Sequence, residues 1–371
     1  MQLMADRGLN PIKKGASAVF RRGRTVELPD YLSVSKRRIR PFSDTIKYGN
    51  ATGRIRALEV RYIDTGRLER LIDAGYQEAL DILEEVPIGA FLKGASDAGQ
   101  VDEGIAAYLR HLYDMLDEML PKDSWLGEFF RCRYDFHNLK VLLKARTFRQ
   151  EKHGLLEGLG TLKLDKLEKG IEDPGALSYP YKDAVEEVLG REATSQQLDC
   201  IIDRSYFAYR LFLAEREGSP LLVDFARSSI DLANLKALLR VIGSGEPASI
   251  LEESLAEGGF IAKADLMEMH GETREGLISR LSNTPYYAGL LEILQEEEEL
   301  GLVEFDRRSD DYLMDMVRGT KRFSVGIEPV FAYVRSRENE AVVVRTVLMS
   351  KLLGMPPETV ESMLRKLFRE H

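Results

Sequence analysis

The stretch DFHNLKVLLK at residues 135–144 recurs as DLANLKALLR at residues 231–240, and a more diverged copy reads NEAVVVR at residues 339–345. Each copy contains an asparagine, which is followed by apolar residues four and five positions later and by a basic residue six positions later. The asparagines are Asn138, Asn234 and Asn339, and the basic residues are Lys144, Arg240 and Arg345. The asparagines lie 96 and 105 residues apart, so the repeating unit has the size of a small domain.

Two other landmarks keep the same order relative to each asparagine. A proline followed by an apolar or aromatic residue lies 51, 54 and 54 residues earlier, and a tyrosine lies 30, 28 and 27 residues earlier. The landmarks are Pro87, Pro180 and Pro285, and Tyr108, Tyr206 and Tyr312. Because this spacing is far longer than a solenoid repeat, the sequence indicates three similar domains rather than a stacked array.

Helical periodicity dominates from Tyr48 onward. Apolar residues recur at steps of three and four around all three copies, and alternating strand patterns are scarce, so we predict an all-α fold made of small antiparallel helical bundles. Ser219 followed by Pro220 predicts a helix start, and Gly354 before two prolines predicts a helix end.

The predicted domains follow from these landmarks and from glycine- or proline-rich seams near residues 150–160 and 243–247. We expect a basic arm at 1–47 and helical repeats at 48–153, 154–247 and 248–371. These boundaries leave open an exchange of terminal helices between neighbouring repeats.

Charge is distributed unevenly along the chain of 371 residues. Residues 1–47 hold eleven basic and four acidic residues, a net of +7, so the net charge of −9 leaves −16 for the remainder. An acidic body argues against nucleic acid as the main ligand, because phosphate contacts require lysine and arginine. The basic arm is either a flexible segment or an anchor for anionic lipid headgroups.

The sequence also favours a cytoplasmic location. Its two cysteines, Cys132 and Cys200, form neither a disulfide framework nor a metal motif, and they fit a reducing compartment. No signal peptide and no apolar run long enough to span a bilayer is visible.

A search for catalytic chemistry finds no signature. There is no phosphate-binding loop, Gly158 and Gly160 lack the third glycine of a dinucleotide fingerprint, and the histidines show no ligand spacing. His137 beside the first asparagine corresponds to Ala233 in the second copy, which favours a packing or surface role. We therefore expect no enzyme activity, no cofactor and no metal; an unrecognised acidic active site is the alternative.

The repeated asparagines allow two interpretations. Asparagine is a mediocre helix former, so in mid-helix its side chain needs a hydrogen-bonding partner, and an interhelical hydrogen bond that fixes packing would supply one. Alternatively, Asn138, Asn234 and Asn339 surround a central axis and contact a partner. The basic positions Lys144, Arg240 and Arg345 are expected to face solvent or form salt bridges. The acidic run at 296–299 is either a solvated helix face or a contact for a basic partner.

The chain resembles the C-type subunits of the rotary A-type and V-type ATPases, the counterparts of the eukaryotic vacuolar d-type subunits. The stretches that carry the resemblance are YGNATGRIRALE at 48–59, YDFHNLK at 134–140, DLANL at 231–235, LSNTPY at 281–286, PVFAYV at 329–334 and ENE at 338–340. The resemblance covers residues 48–371 in order, and the basic arm departs from it.

This resemblance implies a funnel of three helical domains around a pseudo-threefold axis. It implies a non-catalytic rotor adaptor that joins the central-shaft subunits of D and F type to the membrane proteolipid ring on the cytoplasmic face. Such an adaptor transmits the torque that couples ATP hydrolysis or synthesis to proton or sodium transport. The alternative is a soluble helical scaffold that binds partner helices in three related grooves.

Overall fold

The structure, a computed structural model, describes residues 46–149, 154–286 and 301–368. These residues form helices joined by turns and loops, and no β-strand occurs in those three ranges, which confirms the all-α prediction. The acidic run at 296–299 and nearly all of the basic arm lie outside the described residues.

The helices are numbered here in chain order. The first six are α1 (Gly49–Leu58), α2 (Thr65–Asp73), α3 (Tyr76–Leu83), α4 (Gly89–Leu92), α5 (Ala98–Met119) and α6 (Leu126–Phe148). The next five are α7 (Leu164–Glu172), α8 (Tyr181–Leu189), α9 (Ser195–Glu217), α10 (Pro220–Ser244) and α11 (Ala248–Ser254). The last five are α12 (Lys263–Met269), α13 (Arg274–Leu281), α14 (Leu302–Arg318), α15 (Ile327–Leu352) and α16 (Pro357–Met363).

The three repeated segments lie on the long helices α6, α10 and α15. Each of these helices buries residues around most of its circumference rather than on a single stripe. A helix that is buried nearly all round lies in the interior of the protein, where other helices cover every face. The repeats therefore mark the central helices of the fold.

Helix termini follow the sequence signals with one difference. Pro220 occupies the first turn of α10, and Gly354, with φ of 66°, follows the end of α15. Ser219 stands at the N-cap position but makes no side-chain capping bond; its hydroxyl donates to the Glu328 carboxylate (3.2 Å). Gly245, with φ of 67°, ends α10 inside the predicted seam at 243–247.

The long helices pack across the predicted seams. Helix α6 packs against α9, α10 packs against α14, and α15 packs against α5. An ion pair accompanies each contact: Lys144 with Asp199 (2.7 Å), Lys236 with Asp306 (2.5 Å) and Arg345 with Asp102 (2.7 Å). Each of the helices α6, α10 and α15 thus packs on the long helix that precedes its counterpart in the next repeat. For α15 the next repeat is the first one, so the three contacts form a cycle.

The contact between the two ends of the described chain has its own core. Buried apolar residues between Ile63 and Tyr108 pack with buried apolar residues between Ala341 and Leu367. At the edge of this core, the fully buried Arg337 pairs with Glu340 (2.6 Å) and donates to the carbonyl oxygens of Leu58 and Arg61 (3.0 Å each). The long helix α15 is therefore fastened to the start of the described chain.

Candidate functional site

Phenylalanines from the three long helices meet in one cluster, which we call the phenylalanine hub. The ring centroid of Phe331 on α15 lies 5.0 Å from Phe225, 5.4 Å from Phe130 and 6.0 Å from Phe129. All four side chains are buried. The hub residues precede the repeated asparagines by eight or nine positions, so equivalent parts of α6, α10 and α15 converge here.

Carboxylates lie at the converging amino ends of these helices. Glu217, the last residue of α9, accepts hydrogen bonds from the backbone N–H of Trp125 (2.6 Å) and the hydroxyls of Ser124 and Tyr48. Glu328, in the first turn of α15, accepts from the Ser219 hydroxyl at the start of α10. Because helix N-termini carry partial positive charge, these two acids stabilise the convergence.

Beside the hub, a cavity of about 370 Å³ opens between five helices. We call it the central cavity; its lining side chains come from α6, α9, α10, α14 and α15 and from Arg365. Phe225, Phe305, Leu232 and Leu313 supply an apolar part of the wall. Because all three long helices line this space, it is where a single partner could contact all three repeats at once.

Charged side chains form the rest of the wall. Five basic and three acidic residues line the cavity, a local net charge of +2. Five ion pairs connect most of them: Arg133 with Glu338 (3.1 Å), Arg335 with Glu338 (3.4 Å) and with Asp310 (3.7 Å), Arg365 with Asp310 (2.8 Å) and Lys236 with Asp306 (2.5 Å). Glu338 is buried and also accepts from the Tyr113 hydroxyl (2.6 Å), and burial raises the pKa of Tyr113 well above its usual value.

The repeated asparagines are buried and bind the backbone of a following loop. Nδ2 of Asn138 donates to the carbonyl of Glu157 while Oδ1 accepts from the same residue's N–H, both at 2.8 Å. Asn234 binds Ala256 in the same two ways, and Asn339 donates to the Lys366 carbonyl. Their side chains therefore join a helix to a loop, and not one helix to another as the first of the two interpretations predicts. A direct contact with a partner remains a prediction.

An aspartate one turn earlier holds the same loop in the first two repeats. Asp135 accepts from the N–H groups of Thr161 and Leu162 and from the Tyr181 hydroxyl. Asp231 accepts from the N–H groups of Phe260 and Ile261 and from the Tyr286 hydroxyl. Both tyrosines belong to the proline landmarks. The third repeat has Ser336 at the position of the aspartate, and the first proline landmark is followed by Ile88 at the position of the tyrosine. Both members of the third aspartate–tyrosine pair are therefore replaced.

The basic repeat positions differ in their contacts. Lys144 and Arg345 form the ion pairs described above, whereas Arg240 is exposed. His137 is exposed, and its Nε2 lies 2.9 Å from the Leu155 carbonyl oxygen. None of these four residues lines the central cavity. Within the described part of the chain, no group of three or more His, Cys, Asp or Glu residues is placed to hold a metal ion.

Sequence reasoning missed most of the charged cavity wall. Arg133 and Arg335 lie on the repeated helices, but without their neighbours in space they resemble ordinary surface residues. Arg210 left a clearer signal: it follows the landmark Tyr206 by four residues, where the other two copies carry the apolar residues Leu112 and Met316. No helix in the described ranges is long and apolar enough to cross a membrane.

Comparison with known proteins places these features in a family context. The sequence model of the family described as ATP synthase (C/AC39) subunit matches residues 51–363. The C-type subunit of the A-type ATP synthase of Methanocaldococcus jannaschii is 24% identical over 351 residues, covering 86% of this chain and 87% of the relative. The corresponding C-type subunit of the V-type sodium ATPase of Enterococcus hirae is 24% identical, covering 87% and 99%. That of the V-type ATP synthase of Thermus thermophilus is 23% identical, covering 86% and 98%.

Proposed function

Since the chain belongs to the ATP synthase (C/AC39) subunit family, we propose that it is a non-catalytic rotor adaptor of a V-type or A-type ATPase. In this role it links the central-shaft subunits of D and F type to the membrane proteolipid ring. It transmits torque, so that ATP hydrolysis or synthesis is coupled to proton or sodium transport. It binds at the cytoplasmic face through these partners.

The cyclic packing of the long helices is the observation that supports this role best. Helix α6 packs on α9, α10 packs on α14, and α15 packs back on α5. We propose that repeats 48–153, 154–247 and 248–371 surround a pseudo-threefold axis that passes through the phenylalanine hub and the central cavity. A closed body of densely packed helices suits torque transmission, because close packing has low compressibility and transmits strain.

In this arrangement the central cavity receives the foot of the shaft. The cavity combines an apolar part with a charged wall, which resembles the apolar centre and polar rim of a protein interface. We assign the repeated asparagines to packing, because their amides already bind the backbone of the chain. The proteolipid ring would contact a different surface.

Co-purification from detergent-solubilised membranes tests the proposal. The full chain and a form lacking residues 1–47 are each tagged and expressed in the source organism. Recovery of both ring and shaft subunits with the full chain is the expected result. Recovery with the full chain only would make the basic arm a docking element. If neither form recovers ring or shaft subunits, the rotor role is wrong, and a helical scaffold with other partners becomes the better interpretation.

A further inference from the structure

Arg210 on α9 lies among aromatic rings in the wall of the central cavity. Its guanidinium carbon is 4.5 Å from the ring centroid of Phe129, 5.3 Å from that of Phe225 and 5.9 Å from that of Tyr206. Two of these rings are fully buried. The arginine is thus held by cation–π contacts at the place where the cavity meets the phenylalanine hub.

Within the described ranges, Arg210 has no anionic partner. The other four basic residues of the cavity wall each pair with Asp306, Asp310 or Glu338. Arg210 makes neither an ion pair nor a hydrogen bond to any described residue, and its Nε is buried without an acceptor. A buried polar group without an acceptor is costly, so the buried Nε of Arg210 suggests a missing ligand.

The surrounding charge favours an acidic ligand. The cavity wall carries a net +2, although the whole chain carries −9. A concave basic surface with apolar walls concentrates the electrostatic potential and attracts negative charge. Guanidinium is also the cation best suited to hold a carboxylate, because its planar N–H groups match both carboxylate oxygens.

We propose that Arg210 anchors the side-chain carboxylate of an aspartate or glutamate on the foot of the central shaft. This inference rests on the rotor role, and it adds the chemistry of the contact. The neighbouring rings and the burial of Nε place part of the guanidinium away from water. A lower local dielectric strengthens its interaction with the incoming carboxylate. The other cations of the wall remain bound to their own acids.

Binding of the purified D-type and F-type shaft subunits to the full chain tests this proposal. Arg210→Gln and Arg210→Met both remove the guanidinium, and the methionine also fills the space between the rings. The matched control is Arg227→Gln, because Arg227 lies over the Phe260 ring (5.7 Å), has a buried Nε without an acceptor, and does not line the cavity. Thermal unfolding of each variant verifies that it is folded.

We expect both Arg210 variants to bind the shaft about 10- to 100-fold more weakly, the range for losing a hydrogen bond between charged groups. Their binding should also depend less steeply on salt concentration, while Arg227→Gln binds like the unchanged chain. Equal affinity and equal salt dependence for the folded Arg210 variants would overturn the carboxylate anchor and leave the rotor role intact. If the unchanged chain fails to bind the shaft, the rotor role and the anchor both fail.

A second set of variants changes the shaft as well. Each aspartate and glutamate of the shaft foot is replaced in turn by its amide, and each replacement is tested with the unchanged chain and with Arg210→Gln. One acidic residue should show a strongly non-additive loss of affinity, which identifies the carboxylate that meets Arg210. Additive losses at every acidic position would overturn the proposal.

Discussion

At the scale of single residues, Asp231 shows how much the repeat depends on buried polar groups. Its fully buried carboxylate accepts hydrogen bonds from two loop N–H groups and from the Tyr286 hydroxyl (2.6 Å). Burial raises the pKa of Asp231 to about 6, although these hydrogen bonds oppose the shift. The loop is therefore held by a carboxylate that takes up a proton more readily in the folded state than in the unfolded state.

This pKa predicts a pH-dependent contribution to stability. The folded pKa lies above the unfolded value of about 3.9, so the contribution is fully present below about pH 4 and is lost as the pH rises through 6. We expect the stability of the unchanged protein relative to Asp231→Asn to fall by about 2–3 kcal/mol between pH 4 and pH 7. Denaturant unfolding at several pH values measures this difference. Asp165→Asn, a substitution at an exposed position, serves as the control. If the stability of the unchanged protein relative to Asp231→Asn rises with pH, the prediction is wrong.

The asparagines show what could be predicted for single residues. Their recurrence among apolar neighbours correctly indicated buried amides that need partners, and Asn138 and Asn234 are buried. The sequence could not give the partner, because Glu157 and Ala256 bind through backbone atoms. Backbone N–H and carbonyl groups are the same at nearly every position, so they leave no pattern in the amino-acid sequence.

At the scale of helices, the phenylalanine hub is the point where three elements depend on each other. Phe331 on α15 contacts aromatic rings of both α6 and α10 and is fully buried. Close-packed interiors leave few voids, so removing this ring creates a cavity that all three helices border. Removal of the Phe331 ring should therefore weaken the packing of all three long helices.

We therefore predict that Phe331→Ala lowers the free energy of unfolding by about 3–5 kcal/mol. Denaturant unfolding gives this value, and hydrogen exchange should show faster exchange near the hub in α6, α10 and α15 alike. Phe207→Ala is the control, because Phe207 is only partly buried and packs on Tyr206 of its own helix. Faster exchange confined to α15 would show that the hub does not connect the repeats.

Helices and their ends were easier to predict than the contacts between them. Local signals such as Pro220 and Gly354 act within one turn, so they marked the start of α10 and the end of α15 correctly. Apolar periodicity shows which face of a helix is covered, but it does not identify the covering helix. The pairing of α15 with α5 joins residues more than 200 positions apart, and no local pattern encodes it.

At the scale of the whole molecule, the packing of α15 against the first helices joins the two ends of the described chain. Arg337 and Glu340 are both nearly fully buried at this contact. Arg337 binds the carbonyls of Leu58 and Arg61, and Glu340 accepts from the N–H of Ile63 (2.8 Å). The pair therefore joins α15 to the first helices of the described chain. In the rotor role proposed above, this contact closes the three repeats into one body.

Substitutions at the Arg337–Glu340 contact should reduce the rigidity of the protein without unfolding it. Arg337→Ala leaves the Glu340 carboxylate buried without its counterion, which costs about 3–5 kcal/mol. Hydrogen exchange at residues 49–63 should accelerate as the ends come apart. Under the proposed rotor role, we expect the assembled ATPase to transport fewer ions per ATP hydrolysed, because a body that opens under load yields instead of transmitting torque. The double substitution Arg337→Met with Glu340→Met should be more stable than Arg337→Ala, because no lone buried charge remains.

The exposed ion pair of the same contact provides the control. Arg345 and Asp102 also join α15 to α5, but their side chains are 52% and 49% exposed. Exposed pairs contribute about 0–1 kcal/mol, so Arg345→Ala should leave both hydrogen exchange and coupling nearly unchanged. Normal coupling in a folded Arg337→Ala variant whose residues 49–63 exchange quickly would show that closure is dispensable for torque. Slow hydrogen exchange at residues 49–63 in the Arg337→Ala variant would instead show that other contacts hold the ends together.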